Sequence, residues 1–443
     1  MPASSTSADR NWRRFVLFRV LFNSRFYYPV LAVLFLDLGL SATEYTLLNF
    51  AWAVAIVITD VPAGVLADRF GRKPLVLASA AFMVGEMALL ILAPRNGGVM
   101  LFLFCLGNRV LSGVAEGMAS GADEALVFDS LAERDRSDEW PLVLDQVTRW
   151  QSVGMVIAML IGGASYDPVF MNHLVGMIGL RLHLEQSITL RFPIWLNLVT
   201  SLLALTTVLG FQEPILKKSH RASVAPGKPE TTLNAWNLLF SAGKWIAETP
   251  PVLFVLIGGL LLDSVVRLLL TFSSSYFRLI SLPEASYGLI GAGLSGLGLV
   301  VSPVARWMVR TRSLAENYGL IAVLILSALT ATACQWPLWG VIFVVPLAAA
   351  TTALGFMVSY YLNALVNSHH RATVLSFKGV AFNLGYGFVG LLFAVILKAF
   401  QDGTRPDYAL SQGFRLLPLW LFLTFGLCVF SFWRYRKVIR AKY

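Results

Sequence analysis

The sequence predicts an all-helical membrane protein with twelve transmembrane helices in two pseudo-symmetric six-helix bundles. Three observations predict it. First, only 14% of the 443 residues are charged and 57% are hydrophobic, whereas an ordinary soluble chain carries roughly 25% charged residues. With a mean hydropathy of +0.69, so few charges cannot cover a water-facing surface, which excludes a soluble enzyme. Second, about twelve apolar runs reach the length of about 20 residues that a helix needs to cross the hydrocarbon core. Third, the longest polar stretch, 212–248, lies mid-chain and contains Lys217, Lys218, Arg221, Lys228, Pro226 and Pro229. It divides the chain into an N-terminal bundle over 1–211, a cytoplasmic linker over 212–248 and a C-terminal bundle over 249–443.

The first apolar run follows a polar, basic N-terminus. It is too long for a signal-peptide core and no small-residue cleavage site follows, so it reads as a membrane helix that stays. The spans are expected near 14–38, 44–67, 74–94, 98–127, 146–166, 192–211, 249–275, 284–305, 316–334, 338–365, 372–398 and 413–433. Those over 98–127 and 338–365 are long enough to tilt or to extend beyond the bilayer. Residues 167–191 form a longer outer loop of mixed polarity. With both termini inside, roughly 23 Lys and Arg fall in cytoplasmic segments and about 7 in outer ones, the sign of the positive-inside bias. An odd number of helices would scramble this alternation. The expected topology crosses the membrane many times, with both termini cytoplasmic.

Several other chemistries find no support. Cys105, Cys334 and Cys428 are far apart in separate apolar runs, without metal-ligand or disulfide spacing. His369-His370 lacks the i,i+4 spacing of a helical metal site, so no metal is expected. The net charge of +10 is spread over alternate loops rather than along one stripe with interleaved aromatics. Nucleic acid is therefore not an expected partner, and the basic tail W-R-Y-R-K-V-I-R-A-K-Y reads as an anchor against anionic lipid. Gly291-Ala-Gly293-Leu-Ser-Gly296 matches G-x-G-x-x-G but lies inside an apolar span with no βαβ unit. No phosphate-binding loop occurs, and no cofactor is expected.

Between the second and third spans stands Gly64-Val-Leu-Ala-Asp68-Arg69-Phe-Gly71-Arg72-Lys73. Glycines permit a tight turn and close backbone approach, and a carboxylate such as Asp68 suits the positive end of a helix dipole. The alternative is a simple topology signal. The string resembles motif A, G-x-L-a-D-r-x-G-r-k, of the major facilitator superfamily, at the place where that family carries it. The resemblance implies a cytoplasmic gate of Gly64, Asp68, Arg69, Gly71, Arg72 and Lys73. Asp68 would face the start of the eleventh span near Arg371, and Arg72 would pair with Asp129 at the inner end of the fourth span. The copy expected in the C-terminal half is reduced to S-P-V-A-R-W-M-V-R at 302–310.

The fourth span holds Arg109, Gly113, Glu116 and Gly117. R-x-x-x-G resembles motif B of the family's drug:proton antiporters. Arg109, Glu116 and Asp123 are seven apart and so share a helix face, beside a stripe of Gly113, Gly117 and Gly121 suited to close packing. Charges at bilayer depth usually line a pathway, so Arg109 and Glu116 are candidates for substrate or proton handling; the alternative is a salt bridge between helices. Asp123, Glu124 and Asp129 are expected near the cytoplasmic surface. The fifth span, Gly154 to Gly163, keeps the glycine pair of the antiporter signature motif C but lacks its proline and preceding glycine. In the first span, Arg25 with Asn23, Tyr27 and Tyr28 can contact an anionic or aromatic substrate, Arg19 can snorkel to the inner surface, and Asp37 lies close to the outer surface. In the seventh span Asp263 and Arg267 are four apart. They either neutralise each other or form a carboxylate released when substrate or a proton binds. Tyr360, Asn363, Lys378 and Asn383 are possible cavity-lining residues, with packing as the alternative.

S-G-A-D-E-A-L-V-F-D-S-L (120–131) and the segment 371–387 are similar to a poorly characterised bacterial branch of the superfamily, often called efflux or drug-resistance permeases. The resemblance implies a secondary transporter of a bacterial plasma (inner) membrane, working by alternating access, without enzymatic activity and monomeric. The first expectation is proton-coupled export of a small organic compound. Glu116 or Asp263 would carry the proton and Arg109 would tune it. The alternative is proton- or ion-coupled uptake, or facilitated diffusion, of a small metabolite. A non-transporting receptor on the same scaffold is a third.

Overall fold

The computed structural model describes the backbone of residues 7–95, 97–213, 232–366, 368–401 and 406–432. Among these residues every regular element is a helix. Ten helices are long and apolar enough to cross a membrane. The pair Ser137–Tyr166 and Pro168–Met177, bent by 88°, makes an eleventh if counted as one span. The remaining span, the first, is where expectation and structure part. Residues 14–38 do not form one helix. α1 (Ser7–Asn23) ends, a 3₁₀ turn covers Tyr28–Val30, and α2 (Leu31–Asp37) follows. Pro29 has no N–H to donate and disfavours helical backbone at the residue before it. The polar side chains at the break turn back on α1: Asn23 Nδ2 donates to the Arg19 carbonyl (2.8 Å) and Ser24 Oγ to the Val20 carbonyl (2.6 Å).

The chain divides into two compact units, Met1–Pro29 with Val54–Trp236, and Val30–Ala53 with Asn237–Tyr443. The boundary falls inside the continuous helix α3 (Ala42–Phe70).

In the first unit α1 and the second half of α3 are joined by α4 (Arg72–Leu92), α5 (Gly98–Ala119), α6 (Ala122–Ala132), α7 (Trp140–Tyr166), α8 (Pro168–Met177), α9 (Gln186–Thr189) and α10 (Phe192–Leu209). Its core gathers Phe15, Phe18, Phe22, Val76, Met83, Leu126, Leu131, Val143 and Phe211. The expected fourth span stands as one span, Gly98–Ala132, but Ser120 and Gly121 interrupt its helix between α5 and α6. As a result Arg109 and Glu116 share α5, while Asp123 belongs to the next helix. Gly117 lies against α3, where an added Cβ would be 3.0 Å from the Asp60 nitrogen. The expected outer loop 167–191 contains α8 and α9. Asp167 starts α8 by accepting from Val169 N (2.8 Å) and Phe170 N (3.2 Å), with Pro168 in the first turn, where its missing N–H costs nothing.

The second unit contains α2, the first half of α3 and then α11 (Thr232–Glu248), which lies within the expected linker. It continues with α12 (Pro250–Thr271), α13 (Ser273–Leu279), α14 (Ala285–Gly296), α15 (Gly298–Thr311), α16 (Leu314–Ala333), α17 (Val344–Leu365), α18 (Ser368–Ala399) and α19 (Pro406–Phe432). α12 is central: 72% of its apolar window is buried, against 11% for the span Ala285–Thr311, which lies at the periphery. Ser313 and Glu316 close a capping box that starts α16.

Candidate functional site

Four charged side chains converge in the first unit. Arg25, at the break in the first span, forms an ion pair with Glu86 of α4; the side chains are 2% and 0% exposed. Its guanidinium carbon also lies 5.2 Å from the centre of the Phe22 ring. Both Arg25 and Arg109 act electrostatically on Glu116, and the Tyr28 hydroxyl shares a hydrogen bond with it. Arg109 is 5% exposed. Asn108 Nδ2 donates to the Glu86 carbonyl at 2.8 Å. Tyr27 is buried, edge-on to the Tyr28 ring at 5.3 Å. Two cations and two anions thus share a low-dielectric site and balance.

Two packing contacts hold the break in place. Phe26 N donates to Asn197 Oδ1 (2.5 Å), and the Phe26 carbonyl abuts the α carbon of Gly162 so closely that a side chain there would collide with it. Sequence reasoning missed Glu86, although a lone acid inside a 21-residue apolar helix is itself a signal. Arg19, read as a snorkelling cation, is instead held by Asp123 (2.6 Å) and Glu124 (2.9 Å). Asp123, expected near the surface, is 0% exposed, because the Arg19 charge compensates it there.

A second cluster lies on α12 and α18. Arg267 Nη2 is 2.9 Å from Asp263 Oδ2, and Arg267 Nη1 donates to Asn383 Oδ1 at 3.1 Å. The guanidinium sits 5.6 Å from the centre of the Tyr386 ring, and the Tyr386 hydroxyl donates to Thr271 Oγ1 (3.1 Å). Lys378 Nζ donates to Ser359 Oγ at 3.2 Å. Of the other sequence candidates, Asn363 is turned to its own helix at the Ser359 carbonyl (2.8 Å) and Tyr360 is 40% exposed beside Tyr361. Asn23 likewise bonds its own helix.

At the turn between α3 and α4, Gly71 has φ +95°, backbone that favours glycine. Arg72 binds the Asp129 carboxylate and the Ala125 carbonyl. Lys73 Nζ donates to the Leu209 carbonyl (3.1 Å). Glu213 accepts from Arg72 N (2.8 Å) and Lys73 N (2.7 Å), capping α4 with a negative charge at the positive end of its dipole. Arg69 is exposed and stacks on Phe70 (5.4 Å); Gly64 has open space beside it. The side chains of Asp68, His369, His370 and Arg371, the 214–231 part of the linker and the 433–443 tail lie outside what the structure describes.

The sequence profile of the Major Facilitator Superfamily matches residues 15–390. The chain belongs to the major facilitator superfamily. Its family and fold, with the twelve-helix, two-bundle architecture, are those of membrane transporters, which are not enzymes. Over 82 residues, 18% of each chain, it is 38% identical to the putative metabolite transport protein YwtG of Bacillus subtilis (strain 168). The matched part therefore spans less than a fifth of that relative's length. The nucleoside transporter NupG superposes with a TM-score of 0.71 at 12% identity, covering 96% of this chain and 99% of that one. A bacterial homologue of the human lysosomal transporter Spinster, inward-facing and unoccupied, gives 0.70 at 15% identity and 99% of both chains. A D-xylose-proton symporter gives 0.61 at 14% identity, covering 94% and 97%. At these identities the likeness is one of fold.

The structure of this transporter adds a polar cluster that the sequence did not reveal. Arg278 grips Asp37 with two bonds, Nη1 to Oδ1 at 2.6 Å and Nη2 to Oδ2 at 2.7 Å, and also binds Glu284. Asp37 and Arg278 line a cavity of about 550 Å³ together with Ser41, Ser275, Gln401 and Asp407.

Proposed function

We propose that this protein is a proton-coupled secondary transporter that exports a small organic compound by alternating access of bundles 1–211 and 249–443. In this reading the transporter is a monomer in a bacterial inner membrane, with both termini in the cytoplasm. The observation that carries the reading is the charged set Arg25, Glu86, Arg109 and Glu116. Glu86 is committed to Arg25, whereas Glu116 is half-buried and shared between Arg25, Arg109 and Tyr28. A carboxylate poised between desolvation, which favours the protonated form, and nearby cations, which favour the ionised form, changes its proton affinity when either surrounding changes. Glu116 is therefore the proton carrier, with Asp263, paired to Arg267, as the second candidate. Arg72, Asp129 and the rest of the Gly64–Lys73 turn form the cytoplasmic gate.

Specific observations favour the opposite direction as a second reading, proton-coupled uptake. The fifth span lacks the proline of the antiporter signature, and one fold relative is a D-xylose-proton symporter.

Everted vesicles test both. On adding a transported compound, an antiporter dissipates an imposed inward-acidic proton gradient, whereas a symporter moves proton and compound together in the same direction. Glu116→Gln abolishes coupling while Asp263→Asn spares it, if the assignment holds. Coupling that survives both substitutions removes it.

A further inference from the structure

The α12–α18 cluster does not balance its charge. Asp263 interacts electrostatically with both Arg267 and Lys378, so two cations share one carboxylate. Between residues 250 and 271, 344 and 365, and 373 and 397 the sequence carries no other Asp, Glu, Lys or Arg. The other described partners are neutral. Ser359 takes one bond from an ammonium that has three to give, and Asn383 takes one from a guanidinium that has five. These groups orient the cations and do not neutralise them. The surplus lies inside membrane-crossing segments: Lys378 is five residues into the span Thr373–Ala399, about 7.5 Å along it, and Arg267 belongs to the span Pro250–Thr271. A charge in that setting needs a counter-charge, which intramembrane cations usually find in a partner or a substrate. Lys378 and Arg267 are also only half-buried, so a ligand can reach them.

We propose that this face of the second unit binds the carboxylate of a small organic monoanion, held between Lys378 and Arg267. One surplus positive charge matches one negative charge. A phosphate ester, with a charge of about −1.5 to −2 at neutral pH, would overshoot it. Each cation also lies over a buried ring, Lys378 6.0 Å from the centre of Phe382 and Arg267 5.6 Å from that of Tyr386, and a ring face attracts a cation without neutralising it. Arg267 is already positioned by Asp263 and Asn383, so it aligns the anion, and Lys378 supplies the unspent hydrogen bonds. The proposal deepens the transport reading by naming a substrate class, and it rests on that reading only in taking the bound anion to be cargo.

Thermal unfolding of the detergent-purified full chain tests it without requiring flux. Sodium benzoate is compared with benzamide, benzylammonium chloride and sodium chloride at equal ionic strength. The expected result is a rise in Tm of several degrees with benzoate, saturating in the millimolar range, and none with the other three. Lys378→Met lowers the apparent benzoate affinity at least tenfold, and Lys378→Arg retains it. An equal shift with benzamide or benzylammonium overturns the charge argument. An equal shift with chloride makes this a halide site, and no shift with benzoate removes the site. Retention of full affinity in Lys378→Met removes the assigned residue. If Lys378→Met does not fold, the four-ligand comparison on the unaltered protein still decides. A protein that binds benzoate but couples no protons refutes the coupling and leaves this site standing.

Discussion

Arg25 and Glu86 form an ion pair whose guanidinium is 2% exposed and whose carboxylate is 0% exposed, at the point where the first span is broken. The pair joins an irregular backbone segment to the middle of a regular helix. Non-helical backbone at membrane depth is tolerated where protein surrounds it, and here Glu86, Asn197 and Gly162 do so.

Removing one partner from such a pair leaves a buried charge without compensation, which costs about 3–5 kcal/mol. Glu86→Ala therefore lowers stability by about that much, and Arg25→Met by a similar amount. The double substitution Arg25→Met with Glu86→Leu loses far less, because no charge remains to be desolvated. Thermal unfolding of the three variants in one detergent checks this. Equal losses in the single and double variants would show that the pair contributes little.

Lipid makes the fold legible. Each span must satisfy its backbone internally and present apolar side chains, so runs such as 74–94 and 192–211 announce α4 and α10. The break in the first span was harder to read, because F-Y-Y-P-V is apolar throughout and only Pro29 marks it. The site was legible in parts. Arg109, Glu116, Asp263 and Arg267 stand out as charges in apolar runs, and so should Glu86. Lys378 was visible as a residue, but the surplus charge it creates depends on α12 and α18 packing together, which spacing within one helix cannot reveal. Glu213 and Arg278 act on residues well over a hundred positions away, at Arg72 and Asp37, and no local pattern encodes that.

Gly162 is the retained half of a damaged signature, and its packing explains why. A methyl group there meets the Phe26 carbonyl, a backbone atom held by its neighbours. Gly162→Ala is expected to cost 3 kcal/mol or more, at the upper end of overpacking effects of about 1–3 kcal/mol. Gly176→Ala, in α8 with open space around it, is expected to be near neutral. The relative yield of monodisperse protein and the Tm of the two variants provide the measurement.

Glu213 secures the start of α4. Glu213→Gln keeps the shape but removes the charge from the helix N-terminus, at an expected cost of a few tenths to about 1 kcal/mol. Glu213→Ala also loses the two hydrogen bonds, at about 1–2 kcal/mol. Hydrogen exchange reads this locally. The amides of Arg72 and Lys73 should exchange faster in Glu213→Ala than in the parent protein, while the middle of α4 does not change.

The turn before α7 is pH-sensitive in a defined direction. Hydrogen bonds from Arg136 hold the Glu139 carboxyl below its ordinary value, with the Arg136 charge adding to the effect and desolvation opposing it. A carboxyl depressed in the folded state stabilises it at pH values above the unfolded pKa of about 4.3. That contribution fades as the pH falls through the folded value. The turn should thus hold at neutral pH and loosen only in strong acid. In Arg136→Gln the Glu139 carboxyl should titrate at the ordinary value, a shift measurable by carbon NMR of labelled glutamate in nanodiscs. An unchanged titration would mean that Arg136 does not set it.

Arg278 faces two carboxylates, and that asymmetry predicts an order of effects. In Asp37→Asn the guanidinium keeps Glu284, so the loss is small, about 1 kcal/mol for partly exposed groups. In Arg278→Met both Asp37 and Glu284 are left facing each other without a cation, and the loss is larger, about 2 kcal/mol. Because Asp37, Arg278 and Asp407 line the 550 Å³ cavity, the second variant also removes the one cation among them and makes that wall more negative. A cysteine placed at Ser41, which lines the same cavity, should then react faster with a cationic methanethiosulfonate reagent than with an anionic one. The preference should be weaker in the parent background, and equal in the two if the Arg278 charge does not reach the cavity. Thermal unfolding orders the two variants independently, and Asp37→Asn proving the more damaging would show that the Asp37 bonds, rather than the cation, organise the cluster.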